Sequence, residues 1–244
     1  MIKALSYILS VFYWVTFFIC LLIFHPVQIV ARKFFGYSAH QKTVAYLNWC
    51  LMACLRIIGS KVVFTNKQQL PKNKPLIFVA NHQSMNDIPP LIWHLREFQP
   101  RFVSKIELGK GIPSVSYNLR HGGSVLIDRK DSKQSLKAIM DFGRSLEAHN
   151  YSAVIFPEGT RSKTGEPKKF AENGLKMLAK TAPSAFVVPV TINNSWKLQE
   201  FSNFPMGFGV TVTVIIHEPI EVKTHTFEEL FTKVESAVVS GINV

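Results

Sequence analysis

The chain has 244 residues, with 28 Lys and Arg against 16 Asp and Glu, a formal net charge of +12, and a hydrophobic fraction of 47% that includes 19 Phe. That length can bury one sizeable core, and the positive balance suits an anionic partner: a membrane surface, a phosphorylated metabolite or nucleic acid. The apolar content is heavy for a basic nucleic-acid binder, and no zinc-finger spacing, RNP-type signature or long basic run accompanies it, so nucleic acid is set aside.

From Ala4 to Phe24 the chain reads ALSYILSVFYWVTFFICLLIF, 21 residues without a charge, and a helix of that length reaches about 31 Å, enough to cross a bilayer. The following HPVQIVARKFFG holds no small-residue cleavage site, which favours an anchor over a signal peptide. A second apolar segment, 44–58, is broken by Asn48 and Arg56 and reads as a helix in the interface or against the first. Residues 1–58 are therefore expected to be a membrane-associated segment of two helices. Arg32 and Lys33 follow the first segment while Lys3 precedes it, so the positive-inside bias turns the remainder of a membrane-associated protein toward the cytoplasm. Cys20, Cys50 and Cys54 are odd in number, without C-x-x-C spacing, and read as packed thiols.

Beyond residue 60, apolar runs at 61–64, 76–80, 101–104, 124–127, 153–156, 186–192 and 210–217 are strand candidates. Helical spacing fills 91–98, 132–148 and 172–180, with Ser132 as a cap, and THTFEELFTKVESAVVSGINV is expected to close the chain as a helix. The alternation predicts an α/β class: one layered domain over 59–244, a largely parallel sheet flanked by helices. The Gly-, Pro- and Ser-bearing stretch 105–123 reads as a long connection.

Directly after LIFVA comes NHQSMND, which places His82 and Asp87 in an H-x-x-x-x-D spacing at a strand end, where α/β proteins seat ligands. The spacing alone is weak, and Asp87 could simply cap a helix. As N-cap, however, it would face Pro89 and Pro90, which have no N–H to donate. Ser84 as the cap would carry the prolines into the second turn. A helix starting at or after Asn86 conflicts least and leaves Asp87 free to hold an imidazole, provided that a turn brings together side chains which a straight helix would set about 140° apart. A His held by a carboxylate can take a proton from a hydroxyl. No G-x-S-x-G elbow marks a nucleophilic serine, so direct attack by an acceptor hydroxyl is expected.

A second block, FPEGTRS at 156–162, follows the strand AVIF. Gly159 allows close backbone approach, and Arg161 offers a planar fork for two phosphate oxygens. His94 with Glu97, and His121 beside two glycines, lack further ligands, so no metal site is expected.

With these residues in place, the sequence resembles the lysophosphatidic acid acyltransferase family of the glycerolipid acyltransferases. NHQSMND matches its H-x-x-x-x-D block, FVSKIELGKGIP with VLIDR its middle block, FPEGTRS its acceptor-binding block and VVPVTI its last block, in family order. The resemblance implies that His82 is the base and Asp87 its orienter. It further implies that Glu158, Gly159, Thr160 and Arg161 bind the acceptor's glycerol phosphate, that Lys105 adds positive charge there with Arg129 beside it, and that Pro189 shapes the acyl region. The implied reaction moves a fatty acyl group from acyl-CoA or acyl-carrier protein to the sn-2 hydroxyl of 1-acylglycerol 3-phosphate, with no cofactor. Another lysolipid acceptor, or a non-catalytic lipid-binding role, are the alternatives. One departure is KKFAENG after FPEGTRS, where the family commonly runs Phe-Lys-Lys-Gly. The partners implied are a lysophospholipid, the thioester donor and membrane lipids, at a cell membrane.

Overall fold

The computed structural model describes residues 2–243, with side chains from residue 5 onward. Met1, Val244 and the side chain of Lys3, used above in the charge bias, lie outside the described residues.

The first helix, α1 (Ile2–Cys54), is two arms joined at Gly36, whose φ of 82° and ψ of −171° are not helical. A residue with a side chain is strained at that φ, so glycine sets the bend. The first arm continues through His25 and Pro26 to residue 35, beyond the charge-free run. The strands are β1 (Lys61–Asn66), β2 (Leu76–Ala80), β3 (Pro100–Lys105), β4 (Val125–Ile127), β5 (Ser152–Ile155), β6 (Phe186–Asn193), β7 (Thr211–Ile216) and β8 (Ile220–Glu221). The remaining helices are α2 (Ile88–His94), α3 (Val115–His121), α4 (Ser132–His149), α5 (Glu172–Thr181) and α6 (Phe227–Ser240).

The strands form one sheet in the order β1-β7-β6-β2-β5-β3-β4, with β8 beside β6. From β6 to β4 all neighbours are parallel, whereas β7 and β8 run antiparallel to β6. The α/β architecture with a mostly parallel sheet is thus as expected. Pro189 sits where the flank of β6 passes from β7, paired at 190–193, to β8, paired at 186–187. Proline is tolerated at such a change of partner because no ladder N–H is lost. Two elements were missed: β8, only two residues long, and α3 within 105–123, where Ile112, Pro113 and Ser114 read as loop and Ser114 does turn with a φ of 61°.

The five buried residues of β2 show how the layers arise. Leu76, Phe78 and Ala80 join Tyr13, Phe17 and Leu21 of the first arm of α1, Val44, Leu47 and Leu51 of the second, and Leu91 of α2. Ile77 and Val79 join Ile139, Phe142 and Leu146 of α4, Leu175 and Leu178 of α5, and Leu230 and Val234 of α6. Alternation along a strand sends successive side chains to opposite faces, and a strand covered on both faces reads as a continuous apolar run. The N-terminal helix is therefore one covering layer of the sheet, sharing a core with the residues after 59.

Candidate active site

The parallel order β2-β5-β3 brings the C-terminal ends of three strands together, and the sequence blocks singled out above follow those ends. After β2 the chain makes a tight turn. Ser84 is extended, its hydroxyl accepts from the N–H of Asn86 at 3.2 Å, and its own N–H donates to Oδ2 of Asp87 at 2.9 Å. The two form a capping box for the 3-10 turn Met85–Asp87. Helix α2 then starts at Ile88 with Pro89 and Pro90 in its first turn and no cap bond from Asp87, a position where a missing N–H costs nothing. The turn closes the gap that a straight helix would leave: Nδ1 of His82 lies 2.8 Å from Oδ2 of Asp87.

Asp87 is fully buried, and the bonds it accepts hold its carboxylate in one orientation. Oδ2 also accepts from the N–H of Gln83 at 2.7 Å, and Oδ1 accepts from the hydroxyl of Ser195. An ionised carboxylate at Nδ1 fixes the proton there, which leaves Nε2 as the free nitrogen. The imidazole stacks on Phe156 with ring centroids 4.2 Å apart and planes at 23°, and part of its edge remains open to solvent.

The FPEGTRS loop after β5 is bound to the same turn. The carbonyl of His82 accepts from the N–H of Ser162 at 2.8 Å. Glu158 accepts from the N–H of His82 at 2.7 Å through Oε1 and from the N–H of Lys168 at 2.8 Å through Oε2. Both its oxygens are thereby committed to backbone, and burial raises its carboxyl above the usual range despite those bonds. Gly159 turns with a φ of 68°, and among the described residues, its two chain neighbours aside, no heavy atom lies within 4 Å of where a Cβ would stand. Its carbonyl accepts from Nη1 of Arg129. The Lys168 ammonium donates to Oγ1 of Thr160 and to the carbonyl of Arg161, each at 2.9 Å. Arg161 is exposed, with Nη1 3.4 Å from Oε1 of Gln199. Lys105 is exposed at the end of β3, on the same edge of the sheet.

The structure thus brings His82 and Asp87 into contact, sets Arg161 and Thr160 on the adjoining loop, and turns Glu158 inward. Two participants were missed. Ser195 holds Oδ1 of Asp87, and Oε1 of Gln199 accepts from Ser84 Oγ at 2.9 Å while facing Arg161. Both belong to the 3-10 turn Ser195–Gln199 after β6. A signal existed: β6 is parallel to β2, so whatever follows VVPVTIN must emerge beside NHQSMND. His94 stacks on Phe64, with centroids 4.3 Å apart, and among the described residues no group of three or more His, Cys, Asp or Glu side chains is placed to hold a metal ion.

An imidazole steadied by a buried carboxylate beside a loop presenting an exposed guanidinium is equipped to deprotonate a hydroxyl on an anionic molecule. The family model named Acyltransferase matches residues 61–193. The chain belongs to this family and is an acyltransferase. It is 27% identical over 233 residues to a 1-acyl-sn-glycerol-3-phosphate acyltransferase of Chlamydomonas reinhardtii, covering 95% of this chain and 68% of that protein. A protein of the same description from Borreliella burgdorferi is 30% identical over 181 residues, covering 71% and 67% respectively. Among solved structures, the 1-acyl-sn-glycerophosphate (LPA) acyltransferase PlsC of Thermotoga maritima matches with a TM-score of 0.81 at 25% identity, covering 99% of this chain and 96% of that one.

Proposed function

We propose that the enzyme transfers a fatty acyl group from a thioester, acyl-CoA or acyl-carrier protein, to the sn-2 hydroxyl of 1-acylglycerol 3-phosphate, yielding phosphatidic acid. The observation that carries this is the His82–Asp87 contact of 2.8 Å, flanked by the exposed guanidinium of Arg161. The descriptions of the relatives supply the acceptor.

In this reading Nε2 of His82 takes the hydroxyl proton as the oxygen attacks the thioester carbon. The tetrahedral intermediate collapses with loss of the thiolate, which recovers that proton from the imidazolium. Asp87 stabilises the imidazolium between the two transfers. Arg161, with Lys105 and Thr160, binds the glycerol phosphate, while Glu158 braces the loop from beneath. Its two bonds to backbone support that role better than direct contact with a phosphate, which a carboxylate would repel. A general base is worth roughly 10²–10⁴-fold, so holding the hydroxyl against the thioester supplies much of the remainder. No cofactor enters these steps.

The reaction would occur at a membrane. Helix α1 is long and apolar enough to cross one, yet its inner face is bound to the rest of the chain. Ser6 Oγ donates to the carbonyl of Met206 at 2.6 Å, Met206 N–H donates to Ser10 Oγ at 2.7 Å, and Ser114 Oγ donates to the carbonyl of Leu21 at 2.6 Å. The outer face exposes Ile8, Phe12, Val15, Ile19, Leu22 and Ile23. Lipid on one side and protein on the other supports insertion into one leaflet rather than a crossing, with the catalytic side toward the cytoplasm.

The test is purified full-length protein in lipid vesicles given a labelled acyl thioester and a panel of lysolipids. Transfer to 1-acylglycerol 3-phosphate above all other acceptors, abolished in His82→Ala, is the expected result. Undiminished transfer by His82→Ala would refute the base assignment, and preference for another lysolipid would refute the acceptor. CoA and carrier-protein thioesters compared in the same assay identify the donor.

A further inference from the structure

Where the bend of α1 meets the body of the domain, a second cationic cluster stands apart from the active site. Arg101, near the start of β3, is only 6% exposed, and among the described residues its Nε has no hydrogen-bond partner. Among the described residues no carboxylate lies within 4.0 Å of Arg101, Arg32 or Arg120. The Arg101 guanidinium lies 3.2 Å from the centroid of the Tyr151 ring and 5.4 Å from that of Tyr37, and Arg32 lies 5.7 Å from the same Tyr37 ring. Gly123 makes room for it, because a Cβ there would fall 2.8 Å from the Arg101 Nε. His121 packs against Tyr117 with ring centroids 4.4 Å apart and planes tilted by 41°, and burial, with the charges of Arg120 and Arg32 adding to it, lowers its pKa. Further in, Gln28 and His40 are fully buried, and no side-chain nitrogen or oxygen of either has a hydrogen-bond partner among the described residues.

A guanidinium taken out of water is costly unless paired, and buried polar atoms are nearly always satisfied. Aromatic faces offset part of that cost for Arg101, but they supply no acceptor. Arg and His converging without a carboxylate define a receptor for an anion, and the guanidinium fork fits phosphate oxygens. We propose that Arg101, Arg32 and His121 bind a phosphate group at the bend of the N-terminal helix, donated by the headgroup of a membrane phospholipid. Phe34 and Phe35, 69% and 73% exposed beside the bend, put the cluster at headgroup depth when they enter the acyl region. This lipid source rests on the membrane contact proposed above; the phosphate chemistry does not. The site is not the acceptor site: Arg101 pairs through Ala153 to Ile77, five residues before His82, which along strands is roughly 15 Å away.

The test uses full-length protein carrying Arg161→Gln, so that binding at the acceptor site is weakened, in neutral detergent at constant ionic strength. Dihexanoyl phosphatidylglycerol and inorganic phosphate are titrated separately, followed by calorimetry and by thermal melting. The expected result is saturable binding of the lipid at one equivalent, weakened at least about tenfold by Arg101→Gln and by Arg32→Gln, with no change for the exposed Lys133→Gln. Equal saturation by inorganic phosphate would support the phosphate site and overturn the lipid source. Absence of saturable binding by either ligand, or unchanged affinity in the arginine variants, would overturn the site. Arg32 is exposed, so its variant remains informative if Arg101→Gln does not fold, and Arg101→Lys should retain part of the affinity. The readout is binding, so a failure of the acyltransfer assignment in the His82→Ala assay leaves it untouched.

Discussion

The hydroxyl of Ser195 donates to Oδ1 of Asp87 across 108 positions of sequence, and both residues are fully buried. Oδ2 is shared among the ring of His82 and the N–H groups of Gln83 and Ser84, while Ser195 is the donor on the other oxygen. Ser195→Ala would leave a charged, buried oxygen without its partner. A loss of about 1.5–3 kcal/mol in stability is expected for a hydrogen bond to a charged group, read by denaturant melts. Because the change acts on the carboxylate that orients His82, the pH profile of kcat should move as well, whereas a purely structural loss would lower the amount of folded protein and leave the profile in place.

Asp87→Asn tests the orienting carboxylate itself. An amide cannot accept every bond now made by the carboxylate, and it offers the imidazole a neutral partner. Acyl transfer should fall by roughly 10²–10⁴-fold, comparable to loss of the base, with KM for the acceptor changed far less than kcat. Steady-state kinetics in vesicles separates the two parameters, and a pure KM effect would contradict the role.

Arg161 is exposed, so Arg161→Ala should cost no more than about 0.5 kcal/mol of stability while raising KM for a phosphate-bearing acceptor. A charge-assisted bidentate contact is worth about 1.5–3 kcal/mol, or roughly ten- to a hundredfold. Lysine at this position should recover part of the loss, since it restores charge without the fork. An acceptor lacking the phosphate should be insensitive to either change.

Glu158 gives a pH prediction with a definite sign. Burial raises its carboxyl above the unfolded value of 4.5, and its bonds to backbone N–H groups only partly oppose this. Between the unfolded and folded values the native state holds more protons than the unfolded chain. This residue's contribution to stability therefore falls as pH rises through that window, and the cost stays in place above it. Glu158→Gln should remove that slope from a plot of melting temperature against pH. It should also lower stability at low pH, because a single amide oxygen cannot serve the N–H groups of both His82 and Lys168.

Tyr13 on α1 donates at 3.0 Å to Oδ1 of Asn86, next in sequence to Asp87. Tyr13→Phe leaves a buried acceptor unpaired and should cost about 1–3 kcal/mol. Reduced transfer by folded protein would show that the apolar helix also supports the site, and unchanged transfer would confine its role to attachment.

The α/β class, the strands from β1 to β7 and the blocks holding His82, Asp87 and Arg161 are legible in the order of residues alone. Each of these is written locally: a run of apolar residues, a proline pair that removes donors, a strand followed by polar residues. The turn that brings His82 to Asp87 could be inferred as a requirement, because Pro89 and Pro90 weaken the capping alternative. Its geometry could not, since it depends on Ser84 closing a capping box. Tertiary structure alone decided the placement of α1, whose charge-free run has the composition of a membrane span but whose buried face matches the sheet, a fact that appears only when both surfaces are present. It alone also decided that Glu158 faces backbone, that Ser195 completes the bonding of Asp87, and that Arg101 is buried without a carboxylate. Those three relationships join residues far apart in sequence through the parallel order of the strands, and hydrogen bonds leave no periodic trace along a single chain.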